Sequence, residues 1–391
     1  MNIAFFCIPA HGHTNPTLAV VRELTARGHT VRYYTTEAFR AKIEAAGAVF
    51  VPFDAEAARP GMTAADGARL GSDLAFSTRL IVDLTLAADD WLSRELTVHR
   101  PDVIVGDSMA FWAKLAAKKH GIPFVSSTTT FAFNRFSAKV IGQNGAGFLQ
   151  FLLAQPRINR QLKRLRAAGY AVKSVFDIIA NDNETETVVY TSPDFQPCAD
   201  TFSEKYHFVG PLLRPAQSSF EKLPGRSLIY ISLGTVNNDA LPFYRACLAA
   251  FGGDPRFQLV LSASTQADLA AFGPIPESCI VRASVDQMAV LDCADVFLTH
   301  CGMNSASEGL WHGLPLVLYP QTPEQHGVAN RVAALGAGVP LTDPSADGIR
   351  RAVEAALTNP SYRENAQKLA DSFRRCGGAA EAADAIEHAA N

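Results

Sequence analysis

The stretch Asp295-Val296-Phe297-Leu298-Thr299-His300-Cys301-Gly302-Met303-Asn304-Ser305-Ala306-Ser307-Glu308 runs from an apolar segment through a polar turn into a helical pattern. The apolar run ending at Thr299 has no helical period and suits a strand buried on both faces. Gly302 permits a tight turn, and Asn304 and Ser305 open a helix that runs to Gly313. Backbone N–H groups at a helix start, together with the helix dipole, favour an anion there. His300 adds a donor and Ser305 a hydroxyl. Glu308 lies one turn further on the same side, where a carboxylate would repel phosphate but suits the two hydroxyls of a ribose. A turn capped by Asn304 or Ser305 accounts for any one of these residues, though not for the set. The expectation is a strand-turn-helix unit holding a ribosyl diphosphate.

The same grammar extends outward in both directions. Before it come strand Leu228–Leu233, helix Leu241–Phe251 and strand Phe257–Ser262; after it come strand Pro315–Tyr319, helix Glu324–Leu335 and helices across 345–390. The first half reads strand Asn2–Ile8, a loop over Pro9–Asn15, a helix opening at Pro16 and strand Thr30–Tyr34. Helix Glu37–Ala46, strand Ala48–Phe53, a long helix over 73–99, strand Asp102–Gly106, helix Ser108–His120 and strand Pro123–Ser127 follow. Alternation of this kind implies doubly wound parallel sheets. Residues 59–72 look like a polar loop, and Thr187–Thr191 and His207–Val209 like closing strands. The Pro, Gly and Ser of 213–225 suggest an interdomain linker. The expected division is 1–212, a linker at 213–225, 226–375, and a terminal helix at 376–391 packing back on the first domain.

Composition narrows the function. At 391 residues the chain exceeds what one hydrophobic core usually covers. Thirty-five basic and 38 acidic side chains give a net charge of −3, without the basic excess that a nucleic-acid binder shows. Seven scattered cysteines with no C-x-x-C argue against a disulfide framework or a zinc ribbon and for reduced thiols in the cytoplasm. No stretch of 18 apolar residues would span a membrane. Neither half carries G-x-G-x-x-G after its first strand, and there is no P-loop.

The first half offers a base. Doubly wound sheets bind ligands beyond the carboxyl ends of strands where the strand order reverses. In the order 3-2-1-4-5 that point lies between the first strand, which delivers His11-Gly12-His13, and the fourth, which delivers Asp107. A histidine oriented by an aspartate is what deprotonating a hydroxyl at neutral pH requires. Simple helix capping by Asp107 is the competing reading. Phe131, Phe133, Phe136, Phe148 and Phe151 form either helical packing over the sheet or an apolar wall for a ligand.

The segment from Gln287 to Gln325, with His300–Gly309 and Pro320-Gln321-Thr322-Pro323-Glu324-Gln325, resembles the nucleotide-sugar signature of family 1 glycosyltransferases. In length and order of motifs the whole chain is similar to the bacterial macrolide glycosyltransferase group. The resemblance implies the α/β GT-B fold, with two Rossmann-like doubly wound domains facing across a cleft, and a UDP- or TDP-sugar donor. It implies that His300, Gly302, Asn304 and Ser305 hold the diphosphate and Glu308 the ribose. Glu324 and Gln325 would bond the sugar hydroxyls, and Gln287 would face the base pocket. Ser232 and Thr235, in Ser232-Leu233-Gly234-Thr235, match the other phosphate-side loop. Gly12-His13-Thr14-Asn15-Pro16 matches the G-H-x-N-P element, making His13 the catalytic base and Asp107 its partner. His11, Phe131 and Phe133 are the candidates for acceptor binding.

One departure stands out: the family's W-x-P-Q element reads Ser284-Val285-Asp286-Gln287, so the ring that would stack on the base is missing. The implied reaction is inverting transfer to a hydroxyl of an apolar acceptor, such as a phenolic or macrolide. The chain contains no D-x-D, so no metal cofactor is expected. A UDP-sugar epimerase of the same architecture and a non-catalytic partner protein are the alternatives. Release of UDP only when an acceptor is present separates them.

Overall fold

The computed structural model describes residues 1–53, 73–137, 147–179, 181, 183–234, 240–263 and 269–391, with the backbone alone at 147–153. The chain divides into two units, Met1–Leu212 with Cys376–Asn391, and Leu213–Arg375. Each is built on a parallel sheet of apolar strands.

In the first unit, β1 (Asn2–Phe6), β2 (Thr30–Thr35), β3 (Val49–Pro52), β4 (Val103–Asp107), β5 (Phe124–Thr128), β6 (Thr187–Val189) and β7 (Tyr206–Phe208) lie in the order β3-β2-β1-β4-β5-β6-β7. Alternate residues of β1 feed two cores, as burial on both faces requires. Ile3 and Phe5 pack with Val20, Val21 and Leu24 of helix His11–Ala26 and with Ala382 and Ile386 of the terminal helix. Ala4 and Phe6 pack on the other side with Leu84, Leu92 and Trp112. The terminal helix Gly378–Ala390 thus completes the first unit's core, and Arg27 pins it through Asp384 at 2.6 Å and Glu387 at 2.9 Å.

The second unit carries β8 (Ser227–Ser232), β9 (Phe257–Ser262), β10 (Cys279–Arg282), β11 (Val296–Thr299), β12 (Leu316–Leu318) and β13 (Gly338–Pro340), in the order β10-β9-β8-β11-β12-β13. Ile229, Ile231, Leu259, Leu261, Val296 and Leu298 meet Phe243, Cys247, Phe251, Ile349 and Val353 in its core. Residues 213–225, expected as a linker, are tied to this unit. Arg214, Gln217 and Ser218 all bond Asp286, Leu223 N–H donates to Gln258, and Lys222 pairs with Asp295.

Several expectations shift. The helix expected from Pro16 begins at His11, so most of the predicted loop is its first turn and Pro16 lies inside it. As the sixth residue of the helix, Pro16 gives up one intrahelical bond, the one an N–H there would make to the Gly12 carbonyl. The helix expected from Ser108 begins at Phe111, and β10 and β13 are strands the sequence reading passed over. Residues 59–72 and Thr235 lie outside the described residues, as do the side chains of Phe148 and Phe151. All seven cysteines are free thiols. Among the described residues no helix is long and apolar enough to cross a membrane.

Candidate active site

The reversal point of the first sheet lies between β1 and β4. The helix after β1 puts His13 in its first turn, β4 ends on Asp107, and β5 hands on to Thr129. His13 Nδ1 is 2.7 Å from Asp107 Oδ2 and 3.0 Å from Thr129 Oγ1. The Asp107 side chain is fully buried, whereas that of His13 keeps 17% of its surface. Asp107 Oδ1 accepts from Met109 N–H at 2.9 Å, so each carboxylate oxygen has its own donor. An ionised carboxylate can only accept, so in this arrangement the His13 proton sits on Nδ1 and Nε2 keeps a lone pair able to take up a proton. Asp107 is therefore not the cap of the next helix, whose cap position is Ala110.

Thr129 is the residue that sequence reasoning missed. Its signal was available: in the order 3-2-1-4-5, the loop leaving β5 lies beside the loop leaving β4. His11, by contrast, is exposed and turns to Lys42, 3.5 Å from its Nδ1, and to the Phe39 ring. Partial burial and then Lys42 lower its pKa. Phe131 is packed inside against Phe195, with ring centroids 5.2 Å apart, while Phe133 is 47% exposed. Of the two, only Phe133 has surface to offer a ligand.

In the second unit the reversal falls between β8 and β11, so the segments after Ser232 and after Thr299 are neighbours. Helix Met303–Trp311 starts with Gly302 as its cap residue, and no side chain caps it. Capping by Asn304 or Ser305 therefore does not explain this sequence. The two glycines beside His300 explain one another. A Cβ on Gly234 would lie 2.6 Å from His300 Cε1 and Nε2, and one on Gly302 would lie 2.6 Å from Nε2. Gly234 also sits at φ +78, which other residues adopt only with strain. The imidazole is thus wedged between two backbone turns. Burial pushes its pKa down to about 4, so near neutral pH it is an uncharged ring that can donate one hydrogen bond.

Glu308 accepts a short hydrogen bond from Gln287 Nε2, and Gln287 Oε1 accepts from Tyr230 Oη at 2.9 Å. Burial raises the Glu308 pKa. Gln287, expected at the base pocket, thus orients the carboxylate expected at the ribose. Ser232 is buried, with its Oγ 3.4 Å from Gly234 N. Asn304 and Ser305 are partly exposed in the helix's first turn, and Glu324 is exposed at the start of helix Pro323–Ala334. The Gln325 amide oxygen closes a capping box with Thr322, accepting from Thr322 N at 3.2 Å. The structure thus gathers Ser232, His300, Gly302, Asn304, Ser305, Gln287 and Glu308 on the second unit, and His13, Asp107 and Thr129 on the first.

Comparison with known proteins gives consistent matches. Residues 275–374 match the family model described as UDP-glucoronosyl and UDP-glucosyl transferase. The chain is 32% identical to the NDP-glycosyltransferase YjiC of Bacillus licheniformis, over 99% of this chain and 97% of that protein. It is 33% identical to the demethyllactenocin mycarosyltransferase of Streptomyces fradiae, over 99% of this chain and 86% of the relative. Among solved structures, the glycotransferase of kitacinnamycin superposes with a TM-score of 0.86 at 30% identity, covering 99% of this chain and 98% of the other.

Proposed function

Because the chain belongs to the UDP-glucoronosyl and UDP-glucosyl transferase family of glycosyltransferases, we propose that it is an inverting, metal-independent enzyme moving a sugar from a UDP- or TDP-sugar to a hydroxyl of an apolar small molecule. The 2.7 Å His13–Asp107 pair carries this reading. His13 Nε2 takes the acceptor proton as the oxygen attacks the anomeric carbon, and the buried Asp107 carboxylate stabilises the imidazolium that forms. Attack opposite the leaving nucleoside diphosphate inverts the anomeric centre. The charge growing on the leaving group is met by the helix N-terminus at Gly302 and the donor hydrogen of His300. Glu308, steadied by Gln287, receives the ribose hydroxyls, while Ser232, Asn304 and Ser305 bond the phosphates. Glu324 and the amide of Gln325 bond the hydroxyls of the donor sugar.

Relatives named for demethyllactenocin and kitacinnamycin support a natural-product acceptor, and the exposed Phe133 is a candidate to contact it. Free thiols at every cysteine agree with a cytoplasmic location.

The test is His13→Ala, assayed for acceptor-dependent release of nucleoside diphosphate and, by titration calorimetry, for nucleotide binding. The expected result is a loss of at least about 100-fold in kcat with binding retained. Wild-type turnover in this variant would refute the assignment. Excess EDTA is expected to leave the wild-type rate unchanged.

A further inference from the structure

Beyond the ribose a nucleotide needs a flat face for its base, and the segment next to Glu308 that could provide one is Ser284–Gln287. It has no aromatic ring. The ring that approaches, Tyr230, is 1% exposed, stacked on Phe297 at 4.9 Å and tied by its hydroxyl to Gln287, so neither of its faces is available. A planar cation stands at this place instead. Arg214 reaches Asp286, with Nη1 2.9 Å from Oδ1, and keeps 41% of its side-chain surface. Asp286 is itself held, its Oδ2 accepting from Gln217 N at 2.6 Å, Ser218 N at 2.9 Å and Ser218 Oγ at 3.2 Å. The guanidinium is therefore gripped by its edge, by a carboxylate anchored at three further points. Edge-on pairing leaves the faces of a guanidinium open for stacking. Asp286 directly precedes Gln287, whose amide bonds Glu308, so the Arg214–Asp286 pair stands next to the residue that holds the ribose carboxylate.

We propose that Arg214, fixed by Asp286, is the stacking partner of the nucleobase and sets nucleotide affinity in this protein. This rests on the second unit being the nucleotide site. Bases stack on arginine planes as they do on aromatic rings. The pairing also gives a purpose to the fastening of the linker-like stretch 214–218 on the residue that precedes Gln287: it holds the carboxylate to which Arg214 is bonded.

The experiment is calorimetric titration of UDP, TDP and inorganic pyrophosphate into the wild-type protein and into Arg214→Ala, Arg214→Lys and Arg214→Ala/Ser284→Trp. Expected are a loss of roughly tenfold or more in UDP and TDP affinity for both single variants, unchanged pyrophosphate binding, and recovery of nucleotide affinity in the double variant. Equal losses for pyrophosphate and UDP would make Arg214 a phosphate contact and overturn the proposal. So would full UDP affinity in Arg214→Lys, because charge without the plane would then suffice. Unchanged UDP binding in Arg214→Ala overturns this proposal alone. A wild-type protein that binds neither nucleotide overturns the nucleotide site as well.

Discussion

Replacing Asp107 by asparagine changes a single atom in a fully buried position and sets two hydrogen bonds against each other. The carboxylate accepts from Met109 N–H through Oδ1 and from His13 Nδ1 through Oδ2, at 2.9 and 2.7 Å. An asparagine has one acceptor and one donor for the same two places. If its oxygen stays on Met109, its NH2 faces Nδ1 and forces the proton onto Nε2, the atom proposed as the base. If its oxygen turns to Nδ1, the NH2 is pushed against the Met109 N–H. Either way the negative charge that supports the imidazolium is gone. The wrong tautomer alone costs about 10⁴ in kcat in the serine-protease triad, and general-base catalysis as a whole contributes about 10²–10⁴. The expected loss here is in the same range, or about 3–5 kcal/mol of transition-state stabilisation. The assay is kcat against pH with a phenolic acceptor, with nucleotide affinity measured alongside. The variant should bind nucleotide normally and regain rate toward pH 10, where a phenol ionises without help. A loss of less than tenfold at pH 7 with intact binding would refute the reasoning.

Other outcomes follow from the same geometry. Thr129→Val removes the hydroxyl 3.0 Å from His13 Nδ1 and should lower kcat about fivefold while leaving KM in place, with Thr129→Ser restoring most of it; steady-state kinetics decides. Gly234→Ala puts a Cβ 2.6 Å from the His300 ring at a left-handed φ, and should weaken nucleotide binding by about tenfold or more in calorimetry. For His300 the folded pKa of about 4 lies below the ordinary value of 6.5, so between these limits the unfolded chain binds the extra proton. Its contribution to stability is present above about pH 6.5 and falls away as the pH drops toward 4, by about 2 kcal/mol between pH 7 and pH 5. Urea midpoints at pH 7 and 5 should differ less in His300→Gln than in the wild-type protein.

How much of this was legible beforehand differs by element. Strands buried on both faces declare themselves as apolar runs, so β1, β8, β9 and β11 were all readable. The outer strands β10 and β13 were not, because an edge strand of three or four residues is held by one neighbour and needs little hydrophobic signal; β13 even ends on Pro340. Pro16 misled the helix start, since a proline is favoured in a first turn, whereas here it stands in the second. His13 and Asp107 could be paired from strand order alone, because topology determines which loops meet. The cradle of His300 could not be read, for a glycine's purpose depends on what approaches it in space. Arg214 was hidden for a related reason: its partner Asp286 is 72 positions away, and composition marked the segment only as a connection.

The return of residues 376–391 to the first unit has a practical consequence. In covalent terms the second unit is a cassette spliced into the first, with one seam at 212/213 and another at 375/376. A chimaera that exchanges the second unit should therefore transplant an internal fragment and keep both native ends. A simple front-to-back fusion would strand a foreign terminal helix where Ala382 and Ile386 fill the host's core and Arg27 awaits its two carboxylates.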